Sequence, residues 1–273
     1  MEKAMARKIL IYGMVIICLL IFVVPFLYLL YNSFKPNDIL FAKPPVWIFK
    51  PTLGAYMEVF INKGFYRNYL NSLIVSVIST ILVILLGTPA AYSFARFKIR
   101  QSDDLFLFIL STRMSPAIAL AVPFYLLYVK VGLLGTYLGL VLAYLTFNLS
   151  FYIWIMRGFF RDIPRELEET AVVDGYSMFN AFCKIVFPLA KPGIVASGII
   201  CFIFAWNELL FAYTLGGGIK TLPVAIPGLM TPREILWGEL SAIGAIIGIP
   251  ILVLVFFMQK SLVRGLTMGA VKG

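Results

Sequence analysis

Apolar and polar stretches alternate along this chain at membrane-crossing lengths. Residues 9–31 are 23 residues without a charge, preceded by Lys3, Arg7 and Lys8. The run is longer than the roughly 7–15-residue apolar core of a signal peptide, and no small-residue cleavage site follows it. It is predicted to be an uncleaved first span. Further apolar runs cover 70–94, 105–129, 138–156, 193–215 and 240–259. In lipid each must satisfy its own backbone hydrogen bonds, so each is predicted to be a helix. The short alternating segments of a membrane β-barrel are absent. The pattern predicts an all-α polytopic protein with six transmembrane helices in a single transmembrane domain over 1–273.

The polar stretches fix the expected topology. Arg96, Lys98 and Arg100 follow the second span at once, and Arg157 ends the fourth. With both termini inside, the inner segments hold 14 Lys and Arg and the outer ones 8, over similar lengths. That bias matches an N-in, C-in arrangement. Residues 32–68, with Pro36, Pro44, Pro45, Pro51 and Trp47, are expected to form an ordered outer loop. Residues 216–238 form a second, whose opening Gly216-Gly217-Gly218 is expected to be flexible. Pro116 and Pro123 are kink sites in the third span.

Composition supports the same class. The chain is 61% hydrophobic, well above a soluble domain, and its mean hydropathy is +0.95. A net charge of +10 would raise nucleic acid as a partner in a soluble chain. Here topogenic Lys and Arg account for it, and no nucleic-acid partner is expected. There is no His, which excludes a His-ligated metal site and a His-based relay. Cys18, Cys183 and Cys201 lack ligand spacing, and disulfides are not expected of them. Neither a metal nor a cofactor is predicted.

The most ordered polar run is 161–192, inside a loop of 158–192. Pro164 suits the first position of a helix. Glu166, Glu168 and Glu169 then fall where the helix dipole favours carboxylates. Gly175 is a C-cap, Ser177 an N-cap, and Met178, Phe182 and Ile185 form an apolar stripe. Pro188 and Pro192 are expected to end the second helix.

This helix–glycine–helix unit resembles the EAA loop of binding-protein-dependent ABC importer permeases. The family pattern is Glu-Ala-Ala, three residues, Gly, nine residues, Ile, one residue, Leu-Pro. Here it reads Glu169-Thr170-Ala171, Gly175, Ile185 and Phe187-Pro188, with Thr170 and Phe187 as mild departures. Residues 71–96, Trp206–Ala212 and the tail Gly265–Gly273 are similar to the carbohydrate class, the tail to its maltose-type second subunit. The resemblance implies a cell-membrane subunit of a bacterium or archaeon. It would pair with a second, different permease, two ATP-binding subunits and an extracytoplasmic solute-binding protein. It implies ATPase coupling through Glu169, Ala171, Asp174, Gly175, Met178, Phe179, Phe182, Ile185 and Pro188. In maltose-type relatives the outer loop 216–238 reaches toward the binding protein.

Candidate path residues come from polarity inside spans. Glu208 and Arg113 are ionisable groups well within apolar runs, which mark either a cavity or a helix–helix bond. Asn207 and Asn148 add amides, and Trp206 a ring face for a sugar's C–H surface. Gly135-x-x-x-Gly139 and Gly244-x-x-x-Gly248 permit close helix packing.

No phosphate loop is present, because Ile219 precedes Lys220 where the motif needs Gly. The chain is therefore not expected to hydrolyse ATP, nor to be an enzyme. Two other readings remain open: a permease for a polyol or glycerol phosphate, and an ion-coupled secondary transporter. The second would leave the EAA spacing unexplained and has Glu208 alone as an intramembrane acid.

Overall fold

The computed structural model describes residues 2–230 and 235–267. Residues 231–234 of the expected second outer loop, Pro232 among them, and the tail from residue 268 lie outside the described residues. The chain forms two compact units, Met1–Tyr66 with Ala225–Pro250, and Arg67–Val224 with Ile251–Gly273. All regular structure among the described residues is helical, apart from a single bridge between Met230 and Ile235.

In the first unit, α1 (Glu2–Ser33) is capped from within by Ser33 Oγ, which donates to Leu30 O at 2.6 Å and meets Tyr56 Oη at 2.7 Å. A short helix, α2 (Gly54–Met57), continues as a π turn over Glu58–Asn62. The last helix of the chain is set down here by its N-terminal half, which meets α1 at two glycines. A Cβ at Gly244 would lie 3.0 Å from Leu29, and one at Gly248 3.1 Å from Phe26. The Gly-x-x-x-Gly spacing thus does what its small residues allow. Residues 8–28 of α1 are otherwise largely exposed, an apolar surface suited to lipid or to another protein.

The second unit is built on α3 (Phe65–Arg96), α4 (Ser102–Met114), α5 (Ala117–Val131), α6 (Tyr137–Asp162), α7 (Glu166–Val173), α8 (Met178–Ala181), α9 (Phe187–Trp206), α10 (Leu210–Leu215) and α11 (Leu222–Ala225). The helix begun in the first unit is α12 (Trp237–Thr267). Small residues let α3, α6 and α9 approach. A Cβ at Gly87 would meet Tyr152 at 2.5 Å, one at Gly193 would meet Phe159 at 2.7 Å, and one at Gly198 would meet Ile84 at 2.9 Å. Tyr152 and Thr88 share a hydrogen bond of 2.8 Å in this packing.

Among the described residues, five helices are long and apolar enough to cross a membrane, and six if α4 and α5 form one broken span. The expected third span is indeed divided. Its halves meet at a 94° bend. Ser115 is extended (φ −66°, ψ 132°) because Pro116 disfavours the helical conformation of the residue before it. Pro123 lies within α5 and does not break it.

Three further expectations are corrected. Pro188 and Pro192 do not end the second loop helix. A π turn over Phe182–Val186 precedes Pro188, and the helix continues from the loop as one 29-residue stretch, Met178–Trp206, that is apolar enough to cross a membrane. Gly135-x-x-x-Gly139 serves a turn rather than a helix pair. Gly135 has φ +72° and donates its N–H to Leu215 O at 2.9 Å, and a Cβ at Gly139 would strike Leu133 O. The start of the loop at 216 is tethered. Ile219 N donates to Gly216 O at 2.8 Å. Asn68 and Asn71 donate to Lys220 O at 3.0 and 2.9 Å, and Leu222 N donates to Ser72 Oγ at 2.8 Å.

Candidate functional site

Two sites gather the chemistry-bearing residues, and local rules build the first. Helix α7 ends in a paired hydrogen-bond motif: Tyr176 N donates to Ala171 O and Gly175 N to Val172 O, both at 3.0 Å. Gly175 takes φ +91°, a left-handed conformation that side chains resist. Ser177 Oγ then accepts from Asn180 N at 3.2 Å and starts α8. Helix α7 itself begins at Glu166, two residues beyond Pro164, with Arg165 as its cap residue.

The loop is fixed to the end of α3 by a side chain that sequence reasoning passed over. Glu168 is buried, and its carboxylate accepts from Arg96 Nε at 2.5 Å and from Tyr92 Oη at 2.6 Å. Arg96 also donates to Ile163 O at 2.7 Å, and Arg165 donates to Ala95 O at 3.1 Å. The signal lay in spacing. Tyr92 and Arg96 are four apart on one face of α3, and Glu168 shares a face with buried Ala171.

The anchor sorts the predicted coupling residues into two sets. Glu169, Asp174, Met178, Phe179 and Pro188 are exposed, and Phe179 is 73% accessible. Val172, Val173 and Tyr176 join them, so the helix–glycine–helix unit presents an apolar face with an acidic rim. Phe182 belongs to the other set. Its ring lies 4.6 Å from that of Tyr92 and 6.3 Å from that of Phe160, so it locks the loop inward. Ile185 is half-buried and Ala171 buried.

The second site is a cleft of about 660 Å³ lined by parts of α4, α5, α6 and α10. Arg113 and Glu208 both line it, with hydroxyls from Thr112, Ser115 and Thr146 and rings from Phe124, Phe147 and Phe211. Arg113 donates to Phe147 O at 3.0 Å and lies over the rings of Phe147, Phe151 and Phe204, at 5.8, 5.2 and 4.5 Å from their centroids. Glu208 sits where the fifth span breaks. Its two oxygens accept from Phe211 N and Ala212 N, each at 3.0 Å, which starts α10 immediately after α9 ends. It is thus a helix cap and part of the cleft wall together.

The other expected path residues lie away from this cleft. Trp206 is buried, stacked on Phe202 at 5.7 Å and edge-on to Tyr69 at 5.4 Å, so its faces meet protein. Asn148 is fully buried between α6 and α9, donating to Cys201 O at 3.2 Å. Asn207 is exposed and donates to its own helix, at Ile203 O. The cleft's hydroxyls and phenylalanines were not legible as a group, because the broken span brings them together.

Comparison with known proteins agrees with this architecture. Residues 84–268 match the family described as binding-protein-dependent transport system inner membrane component. The chain is 38% identical to the trehalose transport system permease protein SugB of Mycobacterium tuberculosis, over 81% of this chain and 82% of that one. It is 32% identical to the trehalose/maltose transport system permease protein MalG of Thermococcus litoralis, over 100% of this chain and 99% of that one. A chain of a bacterial ABC transporter involved in the import of the acidic polysaccharide alginate shares the fold. Its TM-score is 0.78 at 22% identity, covering 95% of this chain and 98% of that one. With that match over well over half its length, the chain belongs to the family of inner membrane components of binding-protein-dependent transport systems.

Proposed function

We propose that the chain is one of two permease subunits of an ATP-binding-cassette importer for a sugar or sugar-like solute. It lies in the cell membrane of a bacterium, the inner one where there are two, or of an archaeon, as a single permease domain. Both termini and the loop 158–192 face the cytoplasm, and residues 32–68 and 216–238 face outward. The loop docks on one of two ATP-binding subunits, and an extracytoplasmic binding protein delivers solute to the outer side. Closure of the ATPase pair moves α7 and α8, and the translocation cavity changes from inward- to outward-facing.

The observation that carries this reading is the exposed apolar face of Val173, Met178 and Phe179 beside the buried Arg96–Glu168 pair. Exposed aromatic groups on a firmly held loop suit a partner protein. The held loop continues as one helical stretch into a span, so a displacement of Phe179 is delivered to α9. The trehalose and maltose relatives favour a sugar as solute.

Labelling with an impermeant thiol reagent tests the orientation. An Asn180→Cys variant, with exposed Cys18 and Cys183 replaced by Ser, is expected to react in inverted vesicles and stay unlabelled in intact cells. Labelling from the outside of intact cells would sink the docking scheme.

A further inference from the structure

We propose that the cleft between α4, α5, α6 and α10 is a solute subsite of this subunit, and that Arg113 binds an anionic group there. The solute class is then a sugar carrying a carboxylate, sulfonate or phosphate ester. The inference rests on the importer reading above and narrows its solute.

The cleft has the size and lining of a small-molecule site. At about 660 Å³ it falls within the roughly 300–1,000 Å³ typical of such sites. Phe124, Phe147 and Phe211 offer aromatic surface to the C–H face of a sugar ring, and Ser115 and Thr146 bring hydroxyl groups to the wall.

Arg113 supplies the selectivity. A guanidinium has five N–H donors in a fixed fork. One contact, to Phe147 O at 3.0 Å, accounts for the hydrogen bonding of Arg113 to the described residues. The three surrounding rings offset part of the cost of desolvating the charge, but they offer no acceptor for the remaining donors. No carboxylate among the described residues forms an ion pair with Arg113. By contrast, Arg96 has Glu168 at 2.5 Å and Arg157 has Asp103 at 2.7 Å.

Glu208, the carboxylate in the same wall, is engaged with the N–H groups of Phe211 and Ala212. A cation inside a span usually meets a counter-charge or a cavity. Here it meets the cavity, held by rings so that its open edge has a fixed direction. A planar or tetrahedral anion accepts two parallel N–H bonds from such a fork. The hydroxyls of a neutral sugar can accept from the same donors but leave the charge uncompensated.

The test uses the transporter purified with its partner subunits, with Cys18 and Cys183 replaced by Ser and Ser115→Cys introduced as a reporter at the cleft wall. Glucuronate, glucose 6-phosphate and glucose are added at constant ionic strength, and protection of the introduced thiol from maleimide is followed. At least one of the anions is expected to protect at a concentration about tenfold below glucose. In the Arg113→Gln background that margin should fall below about threefold, and Arg113→Lys should keep part of it.

Equal protection by glucose and both anions, or protection by none, overturns the subsite's anion preference. A margin that survives Arg113→Gln overturns the role of Arg113. ATPase content is measured on the same preparation. Failed protection with the ATPase bound removes this inference alone, whereas a preparation without ATPase removes the importer reading itself.

Discussion

Two arginines in apolar helices are treated in opposite ways. Arg96, at the end of α3, meets a buried carboxylate and a backbone carbonyl, and that carboxylate is also held by Tyr92. Arg113, at the end of α4, meets one backbone carbonyl and three rings. The first arrangement satisfies its charges within the subunit and so makes a rigid joint. The second leaves hydrogen-bonding capacity facing a cleft. The loop end thus has the rigidity that the proposed coupling requires, and the cleft end the open capacity that the proposed subsite requires.

The two ends are therefore expected to respond unequally to loss of charge. The largest effect is expected for Glu168→Ala, which strands Arg96 without its counter-charge. Breaking one side of a buried pair costs about 3–5 kcal/mol. Thermal unfolding of the purified subunit in detergent should show a markedly lower midpoint, with little folded protein recovered. Wild-type stability for this variant would mean that the Arg96–Glu168 contact is incidental.

A middle effect is expected for Glu208→Ala. It removes the acceptor for two N–H groups at the start of α10, worth about 1–2 kcal/mol as a cap. The subunit should still assemble with its partners while uptake falls, because the cleft wall loses its shape. Normal uptake would confine Glu208 to the local role of helix cap.

The smallest effect on stability belongs to Arg113→Gln, at about 1 kcal/mol or less, since one hydrogen bond is lost and a desolvated charge goes with it. Unfolding measured side by side with Glu168→Ala sharpens the comparison. Equal losses would show that Arg113 is as structural as Arg96.

The two ends also differed in how far the sequence disclosed them. The loop was legible because its determinants are local: Gly175, Ser177 and the acidic first turn each act within a few residues. Its attachment was not, since Glu168 looks like any dipole-favoured carboxylate until α7 is laid against α3. Phe182 shared an apolar stripe with Met178, yet it turns inward because Tyr92 and Phe160 offer it a pocket of rings.

At the cleft, the sequence marked Arg113 and Glu208 as ionisable groups in apolar runs. It could not separate them from Trp206 and Asn148, whose burial depends on Phe202, Tyr69 and Cys201 from elsewhere in the fold. Pro116 was visible as a kink site, but a 94° turn needs the neighbouring helices that accommodate it. Gly216 to Gly218 read as flexible because the bonds that hold the following residues, from Asn68 and Asn71 to Lys220 O and from Leu222 N to Ser72 Oγ, join positions more than a hundred residues apart.

The central claim is that the helix–glycine–helix unit couples this subunit to an ATPase, and Gly175→Asp tests it most directly. A Cβ at Gly175 would meet nothing within 4 Å, so the cost lies in the φ of +91°, about 1–2 kcal/mol, and no span is disturbed. The variant subunit should therefore remain in the membrane at near-normal level. Its strained turn would redirect Met178 and Phe179. ATPase co-purification and uptake of the binding protein's solute are measured in the same membranes. The account predicts loss of uptake, with the ATPase either dissociated or hydrolysing ATP without transport. Wild-type uptake with the ATPase bound would contradict it.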